Sequence, residues 1–265
     1  MGVDRRLLPV QVQPIEGETL DSWLEATALA TGGTLKSVVV AANLPAATVP
    51  SWRRSLSSAQ LQALRAETGV SGETLEAMTL SRYDGSALQL DSRTRRLDPN
   101  FPFGAQSWSR FCPACLRETG GRWQLSWFLP WSFACLKHKY LLVDYCPGCH
   151  VHQRSTLQYR RVPTPSVCRG SQPLDSAPTV QLLGDDHSFL WSQRAIGDVI
   201  DKGQIGFGVF RTHPRNRNHP LDGSTRRTPQ RPRHLVSLIA RECDKSQALC
   251  LNLRPPERDR CPLRA

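Results

Sequence analysis

Three short pairs of metal-ligand residues near the middle of the chain constrain its fold more than any other feature. The pairs are Cys112-x-x-Cys115, Cys135-x-x-His138 and Cys146-x-x-Cys149. A Cys-x-x-Cys turn holds two sulfurs about one tetrahedral edge apart, and two such turns face to face supply the four corners of a structural zinc site. We therefore predict a small zinc-stapled unit in this part of the chain.

The first two pairs are predicted to form one closed zinc site, with Cys112, Cys115, Cys135 and His138 as its four ligands. The segment between them is rich in core-forming residues, which favours pairing in sequence order. An interleaved arrangement, in which the first pair joins Cys146 and Cys149, stays open. A redox pair would need only one Cys-x-x-Cys near a strand–helix junction, and the chain's nine cysteines are an odd number for a disulfide framework.

The third pair needs further ligands, and Cys168 is the next cysteine along the chain. A complete second knuckle would have a cysteine at position 171, where this sequence has Ser171. The sequence therefore predicts a second zinc site on Cys146, Cys149 and Cys168 and leaves its fourth ligand open between His150, His152, an aspartate or none. Iron is an alternative to zinc at thiolate-rich sites. Cys243, Cys250 and Cys261 are not spaced as ligand pairs and receive no assignment.

Residues 1–85 are predicted to form an N-terminal unit of short helices. Thr19 can cap the first helix and the Gly32-Gly33 pair can end it, while Ser57 and Gln60 form a capping-box pattern that opens a helix ending near Gly69. Short helices joined by three- or four-residue turns are typical of a helix-turn-helix module, though many small helical bundles look the same. If this unit contacts DNA, four basic residues are predicted to contact phosphates: Lys36, Arg53, Arg54 and Arg65. The alternative is that they only form a solvated helix surface.

The chain between this unit and the C-terminal tail is predicted to divide into three parts. Residues 86–107 are polar and read as a linker, residues 108–175 form the tandem zinc-knuckle unit, and residues 176–215 form a C-terminal helical segment. Trp123, Leu125, Trp127 and Leu129 alternate in the manner of a half-buried strand. The fold class predicted is therefore mainly α with small zinc-stapled α+β elements.

Residues 216–265 are predicted to be a basic tail that is disordered or atypical. Residues 204–265 carry 13 Lys and Arg against 5 Asp and Glu, which accounts for most of the chain's net charge of +11. The tail is rich in Arg and Pro with little apolar periodicity, so it cannot offset its chain entropy by burial. One short helix is predicted near 235–241. We hypothesise that the tail is a replaced segment, in which case its positive charge did not arise for DNA binding.

Taken together, these motifs resemble the TniQ family, the target-selection proteins of some bacterial transposons. The resemblance covers roughly residues 7–215. It is carried by LPV at 8–10, GETLDSWL at 17–24, FCPACL at 111–116, the Trp-rich segment 123–130, and the Cys and His pairs of 135–149.

The resemblance implies a non-enzymatic adaptor that binds DNA or a guide-carrying complex and recruits a transposition ATPase and transposase. A homodimer is left open. The alternatives are a stand-alone zinc-containing helix-turn-helix transcription regulator and a decayed, non-functional family member. A catalytic zinc enzyme is disfavoured because the sequence has no His-Glu-x-x-His or His-x-Glu pattern. With no apolar run long enough for a membrane span and no secretory signal, we expect a cytoplasmic protein without a membrane partner.

Overall fold

The computed structural model describes residues 10–45, 51–91, 93–97, 105–182, 187–202, 205–207 and 210–212. The basic tail 216–265 and its predicted short helix lie outside the described residues. No helix in the described part of the chain is long and apolar enough to cross a membrane. The helices are α1 (Leu20–Ala30), α2 (Leu35–Ala41), α3 (Ser58–Thr68), α4 (Gly72–Ala77), α5 (Pro113–Thr119) and α6 (Ser188–Lys202), and the strands are β1 (Ala134–Cys135), β2 (Tyr140–Leu141), β3 (Ile205–Phe207) and β4 (Phe210–Thr212).

The N-terminal helices begin and end where local side-chain chemistry predicts. The Thr19 hydroxyl accepts a hydrogen bond from the Ser22 amide at the start of α1. Ser57 and Gln60 form both hydrogen bonds of a capping box at the start of α3. Gly69 ends α3 with φ +70°, a left-handed conformation that suits glycine. The predicted helix boundaries of this region are therefore confirmed.

The first hydrophobic core lies among these helices. It contains the fully buried side chains of Leu20, Trp23, Trp52 and Leu64. Leu157 also belongs to this core, although it follows Leu64 by more than 90 positions in the sequence. The helical residues and the later part of the chain thus pack together.

The predicted strand over the Trp-rich segment is wrong. Leu125–Phe128 is a 3-10 helix, followed by Leu129 in extended backbone. A half-buried strand sends alternate side chains to solvent, but the three consecutive residues Trp127, Phe128 and Leu129 are all buried. The segment is buried on more than one side because it lies between two further hydrophobic cores. Trp127 belongs to the cysteine-rich core, which includes Cys112 and Cys146, whereas Leu125 and Phe128 belong to a separate core, here called the second core.

The predicted linker, residues 86–107, contributes side chains to the second core. Ala87 and Leu88 are buried in it together with Phe128 and Trp131, and Leu90 is also buried. The polar composition of residues 86–107 conceals this short apolar run, which packs because the chain turns back at Gly85 (φ +79°). Residues 98–104 of the predicted linker lie outside the described residues.

The strands of the described residues are short and pair as two antiparallel hairpins, β1 with β2 and β3 with β4. The register of the first pair sets Cys135 opposite Tyr140. Helix α6 lies within the predicted C-terminal helical segment 176–215 and packs Leu190 and Ile196 into the second core. The structure is mainly α with small β elements and cysteine clusters, which confirms the predicted fold class.

Candidate metal centres

The first candidate centre is built from a helix start and a β-turn. Cys112 is the N-cap residue of α5, Pro113 occupies its first position, and Cys115 lies in its first turn. Proline suits this position because its fixed φ is helical and it has no amide hydrogen to leave unpaired. Cys135 ends β1, and the chain turns back through Lys139, whose amide donates to the Cys135 carbonyl at 2.8 Å. This turn brings His138 over the cysteines of α5.

The four ligand atoms of this centre all lie within 4.8 Å of one another. The Cys115 Sγ lies 3.6 Å from the Cys135 Sγ and 3.2 Å from the His138 Nδ1. A tetrahedron with Zn–S bonds of about 2.3 Å has S–S edges of about 3.8 Å. The residues present therefore fit a closed Cys₃His zinc site, and they group in the sequence order that the core-forming segment between the two pairs favours.

The close sulfurs perturb one another's protonation. Hydrogen bonds from the Cys112 and Cys115 thiols lower the pKa of Cys135 to about 2. The hydrogen bond with Cys112, followed by that with Cys135, raises the pKa of Cys115 far above its ordinary value. This arrangement favours at least one thiolate in the cluster, and thiolates are the form that binds metal.

Glu118 is a functional candidate that the sequence analysis missed. Its Oε1 lies 2.9 Å from the His138 Nε2, and its Oε2 pairs with Lys137. Hydrogen bonds from Lys137 and His138 lower the pKa of the Glu118 carboxyl. Because His138 turns Nδ1 to the sulfurs, Glu118 orients the ring from behind, as outer carboxylates do at metal-binding histidines. The sequence signal that could have identified Glu118 is its position on α5, one helical turn after Cys115.

The second candidate centre contains three cysteines. The sulfurs of Cys146, Cys149 and Cys168 lie within 4.8 Å of one another, and Cys149 is 3.6 Å from Cys168. The Gly170 and Gln172 amides donate to the Cys168 Sγ at 3.2 and 3.3 Å. Burial raises the pKa of Cys149 to about 11, whereas amide and thiol hydrogen bonds overcome burial and lower the pKa of Cys168. The Cys168 thiol is thus more disposed to ionise than the Cys149 thiol.

Within the described residues, no His, Asp or Glu ligand atom joins these three sulfurs. His152 faces away from them, because its Nδ1 contacts the Asp144 carbonyl at 3.0 Å and its ring stacks on Trp108. His150 lies outside the cluster on an exposed turn with φ +54°. Three sulfurs fit a metal ion whose fourth ligand comes from elsewhere, so this centre differs from the first.

A buried ion network joins the helical residues to the cysteine-rich part of the chain. Asp21 on α1 is fully buried and accepts hydrogen bonds from Arg53 at 3.0 Å and Arg154 at 2.5 Å. Although burial opposes it, the two guanidiniums hold the pKa of Asp21 far below its usual range. Nearby, the buried Glu18 pairs with Arg122. These carboxylates lie in the GETLDSWL segment, and two of their partners, Arg122 and Arg154, lie more than 100 positions away in the sequence.

The four residues predicted as phosphate contacts lie in different environments. Lys36 and Arg65 are exposed on α2 and α3, and Arg54 is half-buried. Arg53 differs from the other three: its side chain is only 6% exposed, and it pairs with Asp21 and lies over the Phe128 ring at 4.5 Å. The structure therefore places Arg53 in the core, where its charge is already paired.

These features define a class of protein in which capped helices pack by buried ion pairs against a Cys/His metal-binding unit. The TniQ family model matches residues 9–142. The match spans more than half of the chain, and the chain belongs to the TniQ family, which is associated with transposition. No curated protein sequence matches the chain. The family match includes every ligand of the first centre, whereas Cys146, Cys149 and Cys168 follow it in the sequence.

Proposed function

We propose that this protein is a non-enzymatic adaptor of DNA transposition that binds DNA and recruits a transposition ATPase, which directs a transposase to the target. The observation that carries the proposal is the TniQ match over residues 9–142, which contains the whole first centre. A closed four-ligand site leaves no coordination position for a reacting water, so its metal would stabilise the fold. The ligands would be Cys112, Cys115, Cys135 and His138.

The helix pair α1–α2 supports the DNA-binding part of the proposal. A four-residue turn, Thr31–Thr34, joins the two helices, and Gly32 in it has φ +65°. A helix-turn-helix module joins its helices by such a turn and places the second helix in the major groove. Lys36, Ser37 and Val40 are exposed on α2, and Val40 is 61% exposed.

The test is a pull-down with tagged full-length protein from lysate of the native host, with DNA and ATP present and then with each withheld. Recovery of a transposition-type ATPase that depends on ATP or DNA is the expected result. A protein with the first centre broken, Cys112→Ser, serves as the matched control because it should lose the folded unit.

Recovery of DNA alone, unchanged without ATP, would instead assign a stand-alone transcription regulator. Sequence-specific footprinting by the isolated protein would strengthen that assignment. Recovery of neither partner by a metal-loaded, folded protein would indicate a decayed family member.

A further inference from the structure

Two helix pairs have the connectivity of a helix-turn-helix, and their exposed charges distinguish them. Helices α3 and α4 are joined by residues 69–71, but α4 exposes Glu73 and Glu76. Two carboxylates on a groove helix would face the phosphate backbone and repel it. Helix α2 exposes Lys36, Ser37 and Val40 and has no acidic residue. The charge pattern therefore favours α2 as the helix that faces DNA.

A segment from beyond the first metal centre docks directly against α2. The Lys36 amide donates to the Tyr159 carbonyl at 2.9 Å, which joins the start of α2 to this segment. Leu157 is buried in the first core, and Tyr159 packs against it. The hydrogen bond to Lys36 and the burial of Leu157 hold this segment in place, so the residues after Tyr159 have a defined position near α2.

The residues that follow Tyr159 are Arg160 and Arg161, and both side chains are exposed. Arg161 also lines a cavity of about 530 Å³ together with Leu29 at the end of α1 and Arg169. Glu25, a carboxylate that lines this cavity, is already paired with Arg154 at 2.8 Å. The positive charge of Arg160 and Arg161 thus continues the exposed surface that begins at Lys36.

We propose that Arg160 and Arg161 bind the phosphate backbone of duplex DNA while α2 lies in the adjacent major groove. The inference rests on the proposed DNA binding and adds residues that lie outside both the helical unit and the family match. Arginines that contact phosphate position a protein on the duplex, whereas side chains in the groove read the bases. In this arrangement the segment Leu157–Arg161 and α2 form one binding surface.

The experiment measures binding of the full-length protein to a labelled random-sequence duplex of about 30 base pairs over a series of salt concentrations. The test variant is Arg160→Ala with Arg161→Ala. The matched control is Arg93→Ala with Arg96→Ala, which removes the same charge from two exposed arginines of a turn near the second core. Metal content and the unfolding temperature check that each variant folds.

The expected result is that the Arg160/Arg161 variant lowers the slope of log Kobs against log salt by about 2, with weaker binding to all sequences alike. The control should keep the parent slope. If the parent binds duplex DNA and both double variants behave alike, this inference is overturned while the proposed function stands. If the parent does not bind DNA at any salt concentration, the DNA-binding proposal fails and this inference fails with it. Preference of the same surface for a single-stranded RNA competitor would also overturn it.

Discussion

Asp21 is a buried carboxylate whose two guanidinium partners come from distant parts of the chain. Arg53 and Arg154 both contact its Oδ2, and their side chains are 6% and 8% exposed. Its Oδ1 and the Arg53 Nε are buried without a hydrogen-bond partner. Burying such a network costs desolvation free energy, but removing one charge leaves the others uncompensated. The loss of Asp21 would therefore destabilise the protein by more than the intact ion network stabilises it.

Replacing Asp21→Asn should lower the free energy of unfolding by about 3–5 kcal/mol, because the buried Arg53 would lose its counter-charge and Arg154 would keep only Glu25. Chemical denaturation measured at neutral pH tests this. Glu16→Gln, which removes one negative charge from an exposed side chain, is the control and should change the value by less than about 0.5 kcal/mol. Equal values for the two variants would contradict the role of Asp21.

The pH dependence of this loss follows from the depressed pKa of Asp21. A lowered folded-state pKa gives stability that is present above the unfolded-state pKa and is lost as pH falls through the folded-state value. Because the folded-state value lies far below the usual range, the difference between the parent and Asp21→Asn should stay constant from about pH 5 to pH 8. Denaturation at several pH values checks this, and a difference that shrinks towards pH 5 would contradict it.

Glu118 acts on the first centre through His138, so its replacement should weaken metal binding without removing a ligand. We expect Glu118→Gln to lower metal affinity by about 10- to 100-fold, measured by competition with a chromophoric chelator. Glu73→Gln, an exposed glutamate on α4, is the matched control. An affinity equal to that of the control would show that the Glu118–His138 contact does not orient the ligand.

At the scale of elements, the two candidate centres differ in how completely the local structure supplies ligands. Helix α5 and the β1–β2 turn each contribute two ligands to the first centre. The second centre combines the Cys146–Cys149 turn with a single sulfur, that of Cys168. Position 171, where a second cysteine would complete the pair, is a serine in a turn with φ +61°. Fewer ligands hold a metal ion less strongly, so the second centre should release it first.

Cys112→Ser should lose one zinc ion per chain and become poorly soluble, because α5 and the β1–β2 turn would no longer be joined. Cys168→Ser should affect only the weaker centre and keep the protein soluble. Metal analysis of both purified proteins makes the comparison. Unchanged metal content in Cys112→Ser would refute the assignment of the first centre.

At the scale of the whole molecule, α1 and the cysteine-rich part of the chain, residues 111–168, share backbone and side-chain contacts. The Thr19 amide donates to the Trp123 carbonyl at 2.9 Å, and the Trp123 amide donates to the Ser22 hydroxyl at 2.9 Å. The Glu18–Arg122 and Asp21–Arg154 pairs lie at the same junction. These contacts predict that the two halves unfold together although the sequence suggests separate units.

Removal of metal by a chelator should therefore reduce the hydrogen-exchange protection of α1 as well as that of α5. Thermal unfolding of the metal-loaded protein should show one cooperative transition, whose midpoint falls on chelation. Persistent protection of α1 in the metal-free protein, or two separate transitions, would show that the helical unit is independent.

Local chemistry made much of the fold and of the first centre predictable. A cap side chain and the amide that it binds lie three residues apart, as at Thr19 and Ser57, so the helix starts follow from neighbouring residues. The ligand spacing of Cys112-x-x-Cys115 and Cys135-x-x-His138 is likewise a short-range pattern. The mainly α fold class follows from such signals, whereas the ligand spacing alone left the interleaved grouping of the pairs open.

The burial of individual residues depended instead on contacts between distant segments. Arg53 has the sequence context of a surface arginine and becomes a core residue only because Asp21 and Phe128 surround it. The Trp-rich segment alternates like a strand but lies between two cores, which bury consecutive side chains.

By itself the sequence determined which residues can be ligands, where the N-terminal helices start, and the resemblance to the TniQ family. Each of these rests on spacing within a few residues or on a motif in chain order. Only the tertiary structure decided that Glu118 supports His138, that no fourth ligand among the described residues joins the three sulfurs of the second centre, and that Tyr159, next to Arg160, bonds to Lys36. Those relations join positions far apart in the chain, and their free energy exists only after packing has brought the segments together.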